Sequence, residues 1–316
     1  MIKYAYICSA GHSGSTLLDM LLGSHSMCES LGEIMLLPMD IAMDKQCACG
    51  YSVRNCGLWS EVGRQLHLRL NIDLMQNPYA FPLGYVAGKD IDPLFDNALY
   101  SFKSKFVRGA RYLEYRINRR PFKFITYKMD EMARNNFAIY DLVREIQKKQ
   151  VVIDSSKHYV AGTNIYKTKP SEVRIILLTR DGRGVFYSGI KHGFGKELAL
   201  TAWKNHYERG LPLLQKQVRP EHLLRVKYED LVVKPEETLK TVCNFLELDF
   251  EENMLSPALV QHHNINGNYT KFSNIAELRL DNAWVKKLSE DDLAYFECHA
   301  GNLNRKLGYT HMPLPI

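Results

Sequence analysis

The 316-residue sequence predicts an α/β fold, a doubly wound parallel sheet with a mostly helical insertion. The first observation is a short apolar run at residues 3–9, followed by a glycine-containing turn and a mostly apolar helical segment at 15–23. The second is that strand-like apolar runs return in the second half, at residues 151–154, 173–178 and 222–226. Alternation of apolar strands with helices is typical of parallel sheets covered on both faces.

Residues 40–150, between these two parts, have a different pattern. Proline and glycine breaks come first, and long stretches rich in Arg and Tyr follow. Ile139, Leu142 and Ile146 have helical spacing, and the run closes on lysines, which favour the carboxyl end of a helix. We predict a largely helical insertion over the sheet. Without an internal repeat or a low-complexity linker, we expect a single domain spanning residues 1–316.

Three more helices are predicted from spacing and start signals. One face of residues 197–214 carries small and aromatic residues at helical spacing. Pro235 begins the next helix, because proline in the first turn costs no hydrogen bond there. Ser289 and Asp292 have the spacing of a capping box, although aspartate stands where glutamate is usual. That last helix should end near Gly308.

The composition excludes some classes of protein. A hydrophobic share of 46% fits an ordinary globular chain, and seven scattered cysteines argue against a secreted disulfide scaffold. The amino terminus does not resemble a signal peptide, and its apolar stretches are too short to span a bilayer. We therefore expect a cytoplasmic protein with no stable membrane anchor and no nucleic-acid partner. The net charge of +6 suits an anionic ligand.

Much of the positive charge lies between residues 89 and 128. This stretch holds ten Lys or Arg residues against four Asp or Glu residues. It could contact an acidic substrate, but a basic stripe is more often the solvated face of a helix. We favour the second interpretation.

Residues 9–16 (SAGHSGST), between the first predicted strand and helix, are the most informative segment. Glycines let the backbone curl so that successive N–H groups converge, and the following helix directs its positive end to the same point. Hydroxyl groups in the loop can donate further hydrogen bonds to phosphate oxygens. The candidate binding residues are Gly11, His12, Ser13, Gly14, Ser15 and Thr16.

The loop makes the predicted fold P-loop-type but departs from the nucleotide-hydrolase pattern. GxxxxGK[ST] requires a lysine directly before its Ser or Thr. Here that position is Ser15, and the first glycine position is Ser9. An enzyme that handles ATP with magnesium would lack its lysine. A glycine-rich turn with no ligand is the alternative interpretation.

Two blocks resemble a known family. Residues 11–25 (GHSGSTLLDMLLGSH) and 30–33 (SLGE) resemble the 5′-phosphosulfate loop and catalytic helix of sulfotransferases that use 3′-phosphoadenosine 5′-phosphosulfate (PAPS), especially the bacterial and Golgi tyrosylprotein types. Residues 179–188 (TRDGRGVFYS) match that family's 3′-phosphate motif. Weaker matches lie at residues 226–231 (VKYEDL) and 263–268 (HNINGN). Residues between 60 and 150 carry no resemblance.

The resemblance implies a donor and its binding residues. PAPS would be the sulfuryl donor, 3′-phosphoadenosine 5′-phosphate (PAP) the product, and no metal would be required. Arg180 and Ser188 would bind the 3′-phosphate, since arginine offers a rigid bidentate fork and serine a hydroxyl. Lys271 would close over the nucleotide. RDGR is also a common strand-to-turn sequence, so the block has a structural interpretation as well.

The resemblance also implies catalytic residues. Glu33 is the best candidate for the general base that takes the acceptor proton, and Lys157 matches a lysine near the leaving group. His12 stands where the family usually has Lys or Arg, and it would donate to the bridging oxygen if protonated. His158 is the second candidate for the base, because the cytosolic branch uses histidine, although its spacing from Lys157 does not fit that branch.

Cys47, Cys49 and Cys56 form a separate cluster in the sequence. They suggest a zinc site or a disulfide, but only three thiols are present and no fourth ligand is obvious nearby. We therefore predict no metal site. Similar clusters in bacterial relatives imply a structural element beside the acceptor site.

Two other functions stay open from the sequence. One is a P-loop kinase that uses ATP, and the other is a non-catalytic protein that binds polyanions through residues 89–128. The acceptor is not identified: a small molecule, glycan, lipid or peptide tyrosine hydroxyl would each fit. The sequence indicates no oligomeric state.

Overall fold

The computed structural model describes residues 1–84, 97–267 and 278–310, with only the backbone described for 97–104. In this part of the chain, five parallel strands form one sheet with the order β2-β3-β1-β4-β5. Its strands are β1 (Tyr4–Ser9), β2 (Cys28–Ser30), β3 (Val151–Lys157), β4 (Val173–Thr179) and β5 (Leu223–Lys227). The carboxyl ends of β1, β3 and β4 therefore lie side by side at one edge of the sheet.

Helices surround this sheet. The first part of the chain contributes α1 (Ser15–Gly23) and α2 (Leu37–Ala42), and the insertion contributes α3 (Gly57–Leu70), α4 (Asn97–Ile117) and α5 (Lys123–Gln147). The second half contributes α6 (Tyr159–Thr168), α7 (Gly182–Lys191), α8 (Lys196–Gln217), α9 (Tyr228–Val233), α10 (Pro235–Phe245), α11 (Trp284–Lys287) and α12 (Glu290–Lys306).

The central strand shows that both faces of the sheet are covered. Tyr4 and Tyr6 of β1 pack into one apolar cluster, and Ala5 and Ile7 pack into the other. Successive side chains of a strand point to opposite faces, so each face carries its own core. The prediction of an α/β fold with a doubly wound parallel sheet is confirmed. Its assignment as one domain spanning residues 1–316 stays a prediction.

Several local predictions are also confirmed. The capping box at the start of α12 is present, with Ser289 accepting from the backbone of Asp292 and Asp292 accepting in return. Helix α5 ends where lysines close the run, at the left-handed Lys148. The sequence analysis missed β2, because three residues with a glutamate at the centre give no strand signal.

Some basic residues of the stretch 89–128 form ion pairs inside the insertion. Arg111 is fully buried and contacts Glu114 and Asp130, and Arg120 contacts Asp130 as well. Buried charges need such partners. Arg111 therefore holds α4 against α5, and Arg120 fastens the connection between the two helices to α5. Among the described residues, no helix combines the length and hydropathy needed to cross a membrane.

Candidate functional site

The loop between β1 and α1 has the curled backbone that an anion cradle needs. His12 and Gly14 both have left-handed backbone conformations, with φ of 60° and 86°. A Cβ at Gly14 would lie 2.5 Å from the Tyr228 ring, so only glycine fits there. Ser13 and Ser15 are buried, and α1 begins at Ser15. The curled loop therefore leads directly into the amino terminus of α1, which carries the positive end of the helix dipole.

Tyr207 of α8 fixes this loop through hydrogen bonds of its hydroxyl. Its hydroxyl donates to the Leu178 carbonyl at 2.8 Å and accepts from the Ala10 N–H at 3.4 Å. The Ser13 hydroxyl lies 3.5 Å from the same oxygen. The loop is thus fixed to the end of β4 before any ligand binds.

Arg180, directly after β4, reaches the same loop. Its guanidinium donates to the His12 carbonyl at 2.9 Å and to the carboxylate of Asp281 at 3.0 Å. It also lies 4.5 Å from the centre of the Tyr228 ring. The two predicted phosphate motifs therefore meet in space, although their residues are far apart in the sequence.

Tyr228 connects the two motifs, and the sequence analysis gave it no role. Its ring packs under Gly14 and faces Arg180, while its hydroxyl accepts from the Asp281 N–H at 3.2 Å. The block VKYEDL was recognised, but nothing in the sequence showed which of its side chains would face the loop. Asp281, the second missed residue, lies in no recognised motif.

Arg183, in the same block as Arg180, has a structural role. It is buried, forms a bidentate pair with Asp181, and stacks on Trp284 at 4.5 Å from the ring centre. The structural interpretation of RDGR therefore holds for Arg183, whereas Arg180 faces the loop.

Helix α7 carries the other predicted 3′-phosphate residue, Ser188, which is half-buried. Its carbonyl lies 2.7 Å from Nδ1 of His192, and the His192 ring stacks on His12 with centres 4.7 Å apart. The end of α7 thus lies against the loop. Lys271 lies outside the described residues.

Glu33 and Lys157 contact each other through an ion pair at the end of β3. Strand β3 is irregular here: Tyr6 and Cys8 of β1 pair with Asp154 and Lys157, so β3 has one extra residue. Lys157 also has a left-handed backbone, with φ of 70°. Irregularities of this kind re-aim a side chain, and this one aligns Lys157 with Glu33.

The backbone around Glu33 is fixed by two other segments. The Glu33 N–H donates to the Ile265 carbonyl at 3.2 Å, and the Ser155 N–H donates to the Gly32 carbonyl at 2.9 Å. Asp19 of α1 accepts from the Gly32 N–H at 3.1 Å, and burial raises the pKa of Asp19 well above its usual range. Glu33 is therefore tied to the helix that follows the loop.

His12 lies near several basic side chains. Burial, with His192, Lys157 and Arg180 adding to its effect, lowers the pKa of His12. The side chain is thus a neutral imidazole near neutral pH. A neutral ring still donates one N–H, but it carries no positive charge of its own.

His158 has a structural contact that argues against a role as base. Its Nδ1 accepts from the Val160 N–H at 3.3 Å and caps α6. Burial lowers the pKa of His158 to about 3. A group with so low a pKa is a weak proton acceptor.

A pocket opens beside this edge of the sheet. Met35, two residues after Glu33, and His158, directly after Lys157, both line it. The other walls are mostly apolar and include Leu83, Met129, Met132 and Ile165. The pocket therefore lies next to the Glu33–Lys157 pair along both chain segments.

Cys47, Cys49 and Cys56 are all free thiols, and the structure places His263 beside them. The sequence analysis missed this fourth residue because it lies 207 positions after Cys56. The block HNINGN had been recognised, but its first residue had no assigned role.

The parallel sheet and the glycine-containing loop after its first strand place the chain among α/β proteins with a strand–loop–helix opening. Residues 5–252 match the model of the sulfotransferase family. Because this match covers more than half of the chain, the chain belongs to the sulfotransferase family. The family predicted from the two motif blocks is confirmed.

One curated relative is a Caenorhabditis briggsae protein named "Putative protein-tyrosine sulfotransferase". It is 28% identical over 138 residues, which cover 38% of this chain and 47% of the relative. The chain thus spans about half the length of that relative.

Two solved structures share the fold. One is the sulfotransferase domain of the olefin synthase of Synechococcus PCC 7002, with a TM-score of 0.50, 19% identity, and coverage of 98% of this chain and 96% of that chain. The other is the sulfotransferase domain of the curacin biosynthetic pathway, with a TM-score of 0.51, 19% identity and 99% coverage of both chains.

Proposed function

We propose that this chain transfers a sulfuryl group from PAPS to an acceptor hydroxyl. The observation that carries the proposal is the meeting of three strand ends: the loop after β1, Arg180 after β4, and the Glu33–Lys157 pair at β3. Ligands of open α/β sheets bind outside the carboxyl ends of the strands. Binding groups and reacting groups are thus together at the expected edge.

The loop residues fit the 5′ end of the donor. Gly11, Ser13 and Gly14 would offer backbone N–H groups, and His12, Ser15 and Thr16 would complete the cradle at the start of α1. The left-handed residues and the close packing of Gly14 on Tyr228 fix this shape without a ligand. Such preorganisation lowers the entropic cost of binding.

Arg180 would bind the 3′-phosphate together with Ser188 and Lys271. In the free protein Arg180 pairs with Asp281, whose side chain is half-exposed. An entering phosphate would compete with that carboxylate, and it would gain because it carries more negative charge. Arg180 is held ready by its contacts to Tyr228 and the His12 carbonyl.

PAPS supplies an activated sulfuryl group whose leaving phosphate gains charge during transfer. Glu33 would accept the proton of the acceptor hydroxyl, and Lys157 would stabilise the leaving group with a donated hydrogen bond. His12 would donate its single N–H beside Lys157. In the free protein the ion pair keeps Glu33 and Lys157 at the strand end, so both are placed before the substrates arrive.

The pocket favours an acceptor with a mostly apolar body. Three methionines line it beside one arginine, Arg108, and its asparagines are engaged within the protein: Asn136 donates to the Leu83 carbonyl and Asn164 to the Met129 carbonyl. A sugar ring would bury hydroxyls with few partners there, which is costly. We propose a small-molecule or lipid hydroxyl over a glycan.

Calorimetry with PAP, AMP and magnesium ATP tests the proposal. We expect PAP to bind at least tenfold more tightly than AMP, because a charge-assisted phosphate contact contributes roughly 1.5–3 kcal/mol. A preference for magnesium ATP would support a kinase instead. Indifference to all three nucleotides, with binding of long polyanions, would favour the non-catalytic alternative.

A transfer assay with labelled PAPS tests the acceptor. Long-chain alcohols and hydrophobic phenols should be sulfated faster than free sugars of equal concentration. Faster transfer to sugars would contradict the proposed acceptor class, while leaving the donor assignment in place.

A further inference from the structure

Three thiols and one imidazole from distant segments meet beside the site. The ligand atoms of Cys47, Cys49, Cys56 and His263 all lie within 4.8 Å of one another. Cys56 Sγ is 3.2 Å from His263 Nδ1, and both Cys47 and Cys56 are fully buried. The transfer chemistry described above uses none of these residues.

The separations are close to those of a tetrahedral metal site. Zinc–sulfur bonds of about 2.3 Å and zinc–nitrogen bonds of about 2.0–2.1 Å place neighbouring ligand atoms about 3.5–3.8 Å apart. The two ligand atoms that lie farthest apart therefore need to approach each other by only about 1 Å. Side-chain rotations without a backbone shift supply such a distance.

The local backbone already directs two thiols to one point. The Cys47 N–H donates to the Tyr51 carbonyl at 2.8 Å, and the Gly50 N–H donates to the Cys47 carbonyl at 3.0 Å. Gly50 has a left-handed backbone, with φ of 91°, which closes the turn. Cys56 lies at the amino end of α3, a position that favours the thiolate.

The segment with His263 is fixed to the cysteine loop by two hydrogen bonds. The Trp59 indole N–H donates to the His263 carbonyl at 2.9 Å, and the Ala48 N–H donates to the Asn264 carbonyl at 3.0 Å. The fourth ligand is therefore held in place by groups other than the thiols.

We infer that Cys47, Cys49, Cys56 and His263 form a structural Zn²⁺ site. Three thiolates and one neutral imidazole are a complete tetrahedral set, with no position open for substrate, and binding releases the thiol protons. A disulfide between two of the cysteines would leave the third thiol and the histidine without a use. The predicted absence of a metal rested on the missing fourth ligand, which the fold supplies.

The metal would fasten the cysteine loop to the segment that supports Glu33. After His263, Ile265 pairs with Gly32 and accepts from the Glu33 N–H at 3.2 Å. Zinc would thus act as a positioning element for Glu33. This link to Glu33 rests on the proposed function, whereas the metal site does not.

Elemental analysis of the full-length protein, purified under reducing conditions from zinc-supplied cells, tests the site. We expect one zinc ion per chain, and loss of that ion in Cys56→Ser and His263→Ala. The exposed Cys298→Ser and His299→Gln are matched controls that should keep it. A protein that holds no zinc and takes none up, or that holds iron instead, would overturn the inference.

Two more measurements keep the test decisive if a ligand variant folds poorly. Cobalt substitution of the wild-type protein should give the absorption of a tetrahedral thiolate site, and non-reducing peptide mass spectrometry should find Cys47 and Cys56 unlinked. A Cys47–Cys56 disulfide would overturn the inference. If metal binds but no nucleotide does, the proposed transfer function fails while the zinc site stands.

Discussion

The proposed nucleotide side and the proposed acceptor side of the site are built in different ways. The nucleotide side uses one contiguous loop, at residues 9–16, whose backbone makes the cradle, and one arginine at a strand end. The acceptor side combines Glu33, Lys157 and the insertion, and side-chain contacts between separate segments give it its shape. Backbone recognition depends on a short motif, whereas side-chain recognition depends on tertiary packing.

The strongest test of this difference removes the proposed base and leaves the proposed nucleotide-binding residues unchanged. Glu33→Gln keeps the shape of the side chain but cannot accept a proton. We expect kcat to fall roughly 10²–10⁴-fold, the usual contribution of general base catalysis, while PAP affinity stays near its wild-type value. Steady-state transfer kinetics and calorimetry measure the two quantities.

Glu145→Gln is the matched control for this change. Glu145 also pairs with a cation, Arg69, but both side chains are largely exposed, and exposed ion pairs contribute little. Its kcat should stay near the wild-type value. If Glu33→Gln turned over at a comparable rate, Glu33 would not be the base.

The reverse perturbation acts on the nucleotide side alone. Arg180→Ala should weaken PAP binding about 10–100-fold, since a hydrogen bond to a charged group contributes roughly 1.5–3 kcal/mol. AMP, which lacks the 3′-phosphate, should bind almost as before. Competition binding of the two nucleotides gives the ratio of their affinities, and that ratio should collapse toward unity.

Arg183→Ala is the comparison within the same motif. Arg183 is buried against Trp284 and paired with Asp181, so its loss should lower thermal stability and leave the ratio of PAP to AMP affinity intact. If Arg183→Ala changed that ratio and Arg180→Ala did not, the assignments of the two arginines would be reversed.

These differences explain which parts could be predicted from the sequence. The loop was found because its glycines, hydroxyls and following helix are adjacent in the chain. Tyr228 was missed as the contact between Gly14 and Arg180, because a tyrosine in a motif does not reveal its neighbours. His263 was missed as a partner of the cysteines for the same physical reason: long-range packing sets it.

The last comparison concerns two residues on the acceptor side, Glu33 and His158. His158 caps α6 in its neutral form, and burial lowers its pKa to about 3 from 6.5. Below pH 6.5 His158 is therefore protonated in the unfolded chain but stays neutral in the folded chain. The free energy of unfolding consequently decreases as pH falls from 6.5 toward 3.

His158→Asn keeps a capping oxygen but does not titrate. Between pH 7 and pH 5 wild type should lose about 2 kcal/mol more unfolding free energy than this variant, at about 1.4 kcal/mol per pH unit below 6.5. Denaturant unfolding of both proteins across this range measures the difference, in which buried carboxyls such as Asp154, present in both, cancel. The exposed His299→Asn should follow wild type. Parallel curves for wild type and His158→Asn would mean that the pKa of His158 is the same in the folded and the unfolded chain, and His158 would return as a candidate base beside Glu33.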